Sequence, residues 1–536
     1  LQIINPVLPG FHPDPSIVRA GDGYIVATST FEWFPGVRLH RSADLVTWKP
    51  AGHVLTSVDQ LDLAGIPDSG GVWAPSLSYA GGRYWLVYSV LRTLGKPYKD
   101  LDNFLVTAPA PEGPWSDPVY LNSSGFDPSL FHDDDGRHYL LNVRWDHREG
   151  QRRFGGILLQ EFDAAAGRLI GRPQVIMASE ELIEGPDLYK RGSEYFLMLA
   201  EGGTGANHGI RMARAPSVDG PYQPDDVALL TTRDVPAYPL QNAGHGSLVE
   251  TPGGEWYLAH LASRPLRTPE GPRSILGRET CLQKVVWADD GWLRLAHGGH
   301  HPALTVAVPD RAAGAAVVPE PMGLACAEES GFDPGGLSEG WASLRRPTGA
   351  DWLDLTTRPG WARLRGGHSL QSQFAQSLVA RRLVTTRCTI TTAVEFCPRD
   401  ITHMAGLVLY YDTRGYYYLR LSHDDHLGRV LGIVANEAED TSEHANIPLD
   451  EGRCPVVHLR ADLGDARLRF SYSHDGAQWT PIGPVFDAGT LSDDYGGRLR
   501  FTGAFAGICA QDLSGSSIYA DFAHFTTRLE DSARWD

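Results

Sequence analysis

The sequence predicts an all-β protein: a five-bladed β-propeller followed by an antiparallel β-sandwich of concanavalin-like or jelly-roll-like form. Three observations predict it. A short motif recurs five times before residue 300, each copy leads through a turn into an aromatic-rich strand, and helical periodicity is scarce throughout. Beyond residue 325 the motif disappears, and longer runs of alternating apolar and polar residues take over.

The copies read "HPDPSIV" at 12, "VWAPSLSY" at 72, "GFDPSLFHD" at 125, "EGPDLYK" at 184 and "GHGSLVE" at 244. Aligning Pro15, Pro75, Pro128, Pro186 and Gly246 gives steps of 60, 53, 58 and 60 residues. The second strands follow as "GDGYIVATST", "GGRYWLVYSV", "DGRHYLLNV", "RGSEYFLMLA" and "GGEWYLAHL", each entered through Gly or Asp-Gly. Further short strands such as "NFLVTAPAPEGPW" bring each unit to about four, the composition of a propeller blade. Residues 1–305 are thus expected to form the propeller. The segment 306–325, rich in Ala, Val and Pro, reads as a linker, and 326–536 as the sandwich, with "CTITTAVEFCP", "AGLVLYYDTRGYYYLRLSHD" and "PVVHLRADLGDARLRFSYSHDG" as strands.

In a propeller the first strand of each blade lines the central channel, so equivalent positions converge at one end of it. One residue before the aligned position stand Asp14, Ala74, Asp127, Gly185 and His245; two before stand Pro13, Trp73, Phe126, Glu184 and Gly244. Three carboxylates, a tryptophan and a histidine are therefore expected to share one pocket. Asp14 lies between Pro13 and Pro15, which restrict the backbone and mount its carboxylate rigidly. An Asp before Pro is also an ordinary turn starter. Three acids in matched register weigh against that reading for all of them, since Ala74 and Gly185 occupy the same register without an acid.

Like charges buried together are costly unless the site uses them. Glycosidic hydrolysis needs two carboxyl groups in opposite protonation states, one ionised to activate water or attack carbon and one protonated to assist the leaving oxygen; a third acid can hold their pKa values apart.

The formal net charge of −18, with no basic block, excludes nucleic acid and anionic membrane surfaces as expected partners. No run of about 18 apolar residues suggests a membrane span. No basic segment followed by an apolar one opens the chain, so a cytoplasmic location is expected. Cys281, Cys326, Cys388, Cys397, Cys454 and Cys509 lack zinc spacing and read as free thiols. The 14 Trp and 20 Tyr suit carbohydrate stacking and β-rich cores alike.

"INPVLPGFHPDPSIV", "GGVWAPSL", "SGFDPSLFHDDDG", "EGPDLY", "EGGTG", "QNAGHGSLVET", "LGRETCLQKVVW" and "FTGAFAGICAQDLSG" resemble the β-xylosidases of glycoside hydrolase family 43 over nearly the whole chain. The resemblance implies inverting hydrolysis, with Asp14 as general base, Glu184 as general acid and Asp127 orienting Glu184 and raising its pKa. By the same resemblance Phe31, Trp73 and Trp145 match pocket walls, Arg278 contacts substrate hydroxyls or the base, and Phe505 sits on a sandwich loop that closes the pocket. Core packing is the other reading of these aromatics, and an ion pair with Glu279 the other reading of Arg278. In similar proteins His245 lies beneath the active site and in some holds Ca²⁺ or another divalent cation with waters; a satisfied core histidine is the alternative. No cofactor is expected for the chemistry, and a homodimer or tetramer is expected by analogy. Trp33 and Phe34 stay unassigned, "HDDDGRH" at 132 reads as a hairpin turn rather than a Ca²⁺ loop, and "HGGHH" at 297 as a solvated loop.

The leading expectation is an exo-acting 1,4-β-xylosidase that takes a small oligosaccharide and releases xylose from its non-reducing end. An α-L-arabinofuranosidase or dual enzyme is the rival in the same chemistry, and a non-catalytic sugar-binding propeller the rival of another class.

Overall fold

Gly-containing turns break the aromatic runs of the first 300 residues into short antiparallel strands, and those strands form the blades. The computed structural model describes residues 2–21, 23–95, 97–309, 327–449 and 456–529. The innermost strands are Ser16–Ala20, Gly71–Ala80, Ser129–His132, Ile183–Arg191 and Gln241–Glu250, each leading an antiparallel sheet that runs outward in chain order. Each inner strand touches the inner strands of both neighbouring blades, so the ring closes with the fifth against the first. Apolar clusters fill the seams: Leu39, Leu77 and Leu86 between the first two blades, and Ile17, Val26, Tyr257 and Leu282 between the last and the first. The predicted fold class holds for both halves. "HDDDGRH" is the hairpin turn expected, closed by Asp133 N–H to the Arg137 carbonyl at 2.9 Å.

The predicted linker begins too early. Thr305–Ala307 pairs antiparallel with Gln2–Ile4, so residues 306 and 307 belong to a strand that ties the two ends of the propeller together. The Ala- and Val-rich text concealed a short strand whose partner lies some 300 positions away. Residues 310–325 of the expected linker lie outside the described residues, as do Cys326 and Cys454; Cys281, Cys397 and Cys509 are free thiols.

The second half packs two antiparallel sheets over a core that includes Leu407, Leu419, Leu459, Phe470 and Phe522. One sheet ends on a strand borrowed from the propeller: Trp33 and Phe34 pair with Leu344 and Ser343. The borrowed strand explains the two aromatics left unassigned, because they build the seam between domains. Trp33 is fully buried and stacks on Phe505 at 3.8 Å and 15°. Arg345 crosses the same seam, donating to the Ile66 carbonyl at 2.6 Å and to Asp68 at 2.7 Å.

Truncating such a seam aromatic opens a cavity that neither domain can collapse to fill. Phe505→Ala is expected to cost about 3–5 kcal/mol. Chemical denaturation of this variant should show a lowered midpoint; an unchanged midpoint would rule out a structural role for the ring.

Candidate active site

The five residues in matched register all take a left-handed backbone: φ is 53° at Asp14, 27° at Ala74, 54° at Asp127, 54° at Gly185 and 41° at His245. This conformation costs a non-glycine L-residue about 1–2 kcal/mol, with Asp among the more tolerant types. Repeated at each blade entrance, it turns the chain into the channel and delivers the side chains to the axis. Gly185 carries a second constraint, since a Cβ there would come within 2.8 Å of the His245 ring.

Asp14, Asp127 and Glu184 are 6%, 7% and 9% exposed and line one pocket with His245 and Arg278, a cavity of about 300 Å³. Phe31, Trp73 and Trp145 line the same pocket, as expected from the sequence, and Phe126 joins them. Trp73 is fixed by its indole N–H to the Ser69 carbonyl at 2.9 Å, and Trp145 by its indole N–H to the Pro97 carbonyl at 2.9 Å. The Lys99 ammonium lies 5.4 Å from the Trp73 ring centre and 4.8 Å from that of Trp145.

The carboxylates differ sharply in what surrounds them. Asp14 Oδ2 accepts from the Ser29 hydroxyl at 2.7 Å, and Oδ1 accepts from Arg278 Nη1 at 3.1 Å with His245 Nδ1 at 3.3 Å. Burial alone would raise its pKa; the Arg278 charge, the His245 contact and the serine overcome that and hold it well below the usual carboxylate range. Among the described residues, no cation forms an ion pair with Glu184. Burial, then the charge of Asp127, pushes it up to about 8. Asp127 is raised as well, by burial and the Asp14 charge, while its Oδ2 accepts the Gly185 N–H at 3.1 Å. One pocket thus holds an acid that favours ionisation, Asp14, beside one that favours its proton, Glu184.

Arg278 does not pair with Glu279. Glu279 is occupied by Arg264 at 2.6 and 2.7 Å, while Arg278 reaches from Asp14 to the Phe501 carbonyl at 3.2 Å. The Asp14 carboxylate is therefore linked through one guanidinium to the sandwich.

Phe505 is not a pocket wall. It opens the strand Phe505–Asp512 and is 0% exposed in the interdomain core, stacked on Trp33. Phe501 and Leu499 reach the pocket instead, on the loop just before that strand. Phe501 is 9% exposed, with its ring 6.0 Å from Phe31 and 5.6 Å from Trp73. The continuous apolar run from Phe505 marks it as a strand residue, whereas Phe501 precedes Gly503 (φ 138°) in a turn. The loop seats against Gly277, where a Cβ would lie 1.9 Å from the Thr502 carbonyl oxygen. Phe501→Ala is expected to raise KM severalfold for whatever substrate fills this pocket, because it opens part of the wall; steady-state kinetics checks this.

His245 Nδ1 faces Asp14, and the acids around the ring, Asp14 foremost, overcome the opposing effect of burial and lift it to about 9. Among the described residues, three metal-type donors converge at one place, Asp234, His300 and His301, none of which lines this pocket.

Sequence reasoning missed Phe126, Lys99, His208, Leu499 and Phe501 among the residues that line the pocket. Phe126 carried a usable signal, the same register as Trp73 and Glu184. Lys99 and Leu499 stand in irregular loops with none.

A propeller axis that sets an arginine-paired carboxylate against a buried glutamic acid that favours its proton, with aromatic rings lining the same pocket, defines a glycoside-cleaving enzyme. The comparisons with known proteins agree. Residues 3–293 match the model of glycosyl hydrolases family 43, and residues 329–528 match that of the β-xylosidase C-terminal concanavalin A-like domain. The chain belongs to glycosyl hydrolases family 43. It is 47% identical to a solved xylan β-1,4-xylosidase from Bacillus halodurans C-125, with a TM-score of 0.93 over 98% of this chain and 100% of that one. It is also 43% identical to xylosidase/arabinosidase 43B of Humicola insolens over 98% of both chains, and 43% identical to a xylan 1,3-β-xylosidase of a Vibrio species over 98% of both.

Proposed function

We propose that the protein is an exo-acting, inverting 1,4-β-xylosidase that releases xylose from the non-reducing ends of xylo-oligosaccharides. The observation that carries the reading is the contrast in surroundings within one pocket: Asp14 is bonded to Ser29 and Arg278, while Glu184 is buried with the Asp127 charge nearby, which favours its proton. Asp14, ionised and held by Ser29 and Arg278, takes a proton from a water as its oxygen attacks the anomeric carbon. Glu184 gives its proton to the glycosidic oxygen as the C–O bond breaks, and Asp127, packed at Gly185, keeps that proton in place by its own charge. The pocket walls of Phe31, Trp73 and Phe501 receive the apolar face of a single terminal ring, and the cover supplied by Phe501 and Leu499 favours exo cleavage.

The similarity to proteins named for β-1,4-xylosidase activity and for combined xylosidase and arabinosidase activity supports this substrate class and keeps an α-L-arabinofuranoside as a second substrate. The test compares hydrolysis of aryl β-xyloside and aryl α-arabinofuranoside by wild type, Asp14→Ala and Glu184→Ala. The expected result is faster cleavage of the xyloside by wild type and loss in Asp14→Ala. Preference for the arabinofuranoside would reverse the substrate assignment, and wild-type rates in both variants would overturn the roles.

A further inference from the structure

The loop "HGGHH" takes no part in the glycosidase site, yet it delivers two imidazoles to a single carboxylate. His300 Nε2 lies 3.0 Å from Asp234 Oδ2; His301 Nε2 lies 2.9 Å from Oδ1 and 3.1 Å from Oδ2. One donor from each of the three residues falls within 4.8 Å of the others. Ligand atoms at 2.0–2.1 Å around a tetrahedral Zn²⁺ are separated by about 3.3 Å, so two edges of the required polyhedron are already close to length.

The side chains are held where they are by the backbone around them. His297 Nε2 bonds the His301 carbonyl at 3.0 Å, the Thr231 N–H donates to the His300 carbonyl at 2.9 Å, and Tyr238 packs on the His301 ring at 5.8 Å while donating to the Pro302 carbonyl at 2.8 Å. The two histidine rings stand nearly perpendicular, 4.5 Å apart at 76°, which aims both Nε2 atoms at Asp234 without stacking. All three side chains are partly open to solvent, at 33%, 35% and 51% exposure, leaving room for a water as fourth ligand.

We propose that Asp234, His300 and His301 form a binding site for a borderline divalent transition metal, of which Zn²⁺ is the type. Two imidazole nitrogens and one carboxylate select Zn²⁺ over Ca²⁺ and Mg²⁺, which prefer all-oxygen shells. The ion would bridge the segment after Thr231 to the segment after Leu295, joining the connection between the fourth and fifth blades to the chain that leaves the fifth. The site stands apart from the catalytic pocket, so aryl xyloside hydrolysis should survive its loss.

The test is isothermal titration of the chelator-treated, dialysed full chain with ZnCl₂, alongside His300→Ala/His301→Ala and Asp234→Asn. The expected result is one Zn²⁺ per wild-type chain, loss of that binding in the double variant, at least a tenfold weaker association in Asp234→Asn, and no displacement by equimolar Ca²⁺. Aryl xyloside activity in each variant serves as the check on folding, and Asp234→Asn, near-isosteric, stands in if the double variant fails that check. Absence of stoichiometric binding, equal affinity in wild type and Asp234→Asn, or binding lost instead in His245→Ala would overturn the proposal.

Discussion

Glu184→Gln should lower kcat on xylobiose by about 10³-fold while sparing much of the rate on an aryl xyloside. General acid catalysis supplies about 10²–10⁴-fold, and nearly all of it is spent on a leaving group too basic to depart without a proton. A phenolate with electron-withdrawing groups leaves unaided, so its cleavage depends far less on Glu184. Asp14→Asn is expected to fail on both substrates alike, because attack by water needs the base whatever leaves. The contrast separates acid from base within a pocket where both carboxylates are equally buried. Equal losses on the two substrates in Glu184→Gln would show that Glu184 is not the proton donor.

Arg278→Met should damage both rate and stability. The guanidinium is the cation closest to Asp14 and also holds the Phe501 carbonyl at 3.2 Å, so removing it unpairs a buried charge and releases the covering loop. Breaking one side of a buried pair costs about 3–5 kcal/mol. The sign of the pH effect follows from Asp14. Its folded pKa lies below its unfolded value, so its stabilisation is present above the unfolded value and is lost as pH falls through the folded one. Without Arg278 the folded pKa rises, and the acid limb of kcat/KM moves up into the ordinary carboxylate range. Arg278→Lys restores the charge without the fork that spans Asp14 and Phe501, so it should return the acid limb more fully than it returns KM. An acid limb identical in wild type and Arg278→Met would show that the arginine does not set the state of Asp14.

The register of the site was legible because it is a repeat property. Spacings near 60 residues align Asp14, Ala74, Asp127, Gly185 and His245 without reference to any contact, and the residues just before Ala74, Asp127 and Gly185 bring Trp73, Phe126 and Glu184. The left-handed backbone at all five equivalent positions was not legible, since Asp-Pro and Ala-Pro do not announce a positive φ. Partners set by long-range contact were also hidden. Arg278 beside Glu279 suggested a local pair, but Glu279 is claimed by Arg264 and the N–H of Gly10. Phe501 and Phe505 stand four residues apart in one motif, and only the seam with Trp33 decides which of them packs in the core. The strand at Thr305–Ala307 was missed for the same reason, its partner lying at the opposite end of the propeller sequence.

The most direct test of the central claim, that Asp14 works ionised while Glu184 stays protonated in the same pocket, is the pH dependence of kcat/KM on xylobiose in wild type and Asp127→Asn. Wild type should hold its rate through neutrality and fall as Glu184 loses its proton near pH 8. Removing the Asp127 charge removes the strongest neighbouring repulsion, so the alkaline limb should move to lower pH in Asp127→Asn. An alkaline limb that stays in place when Asp127 is neutralised would contradict the assignment of Glu184 as an acid protonated by its surroundings.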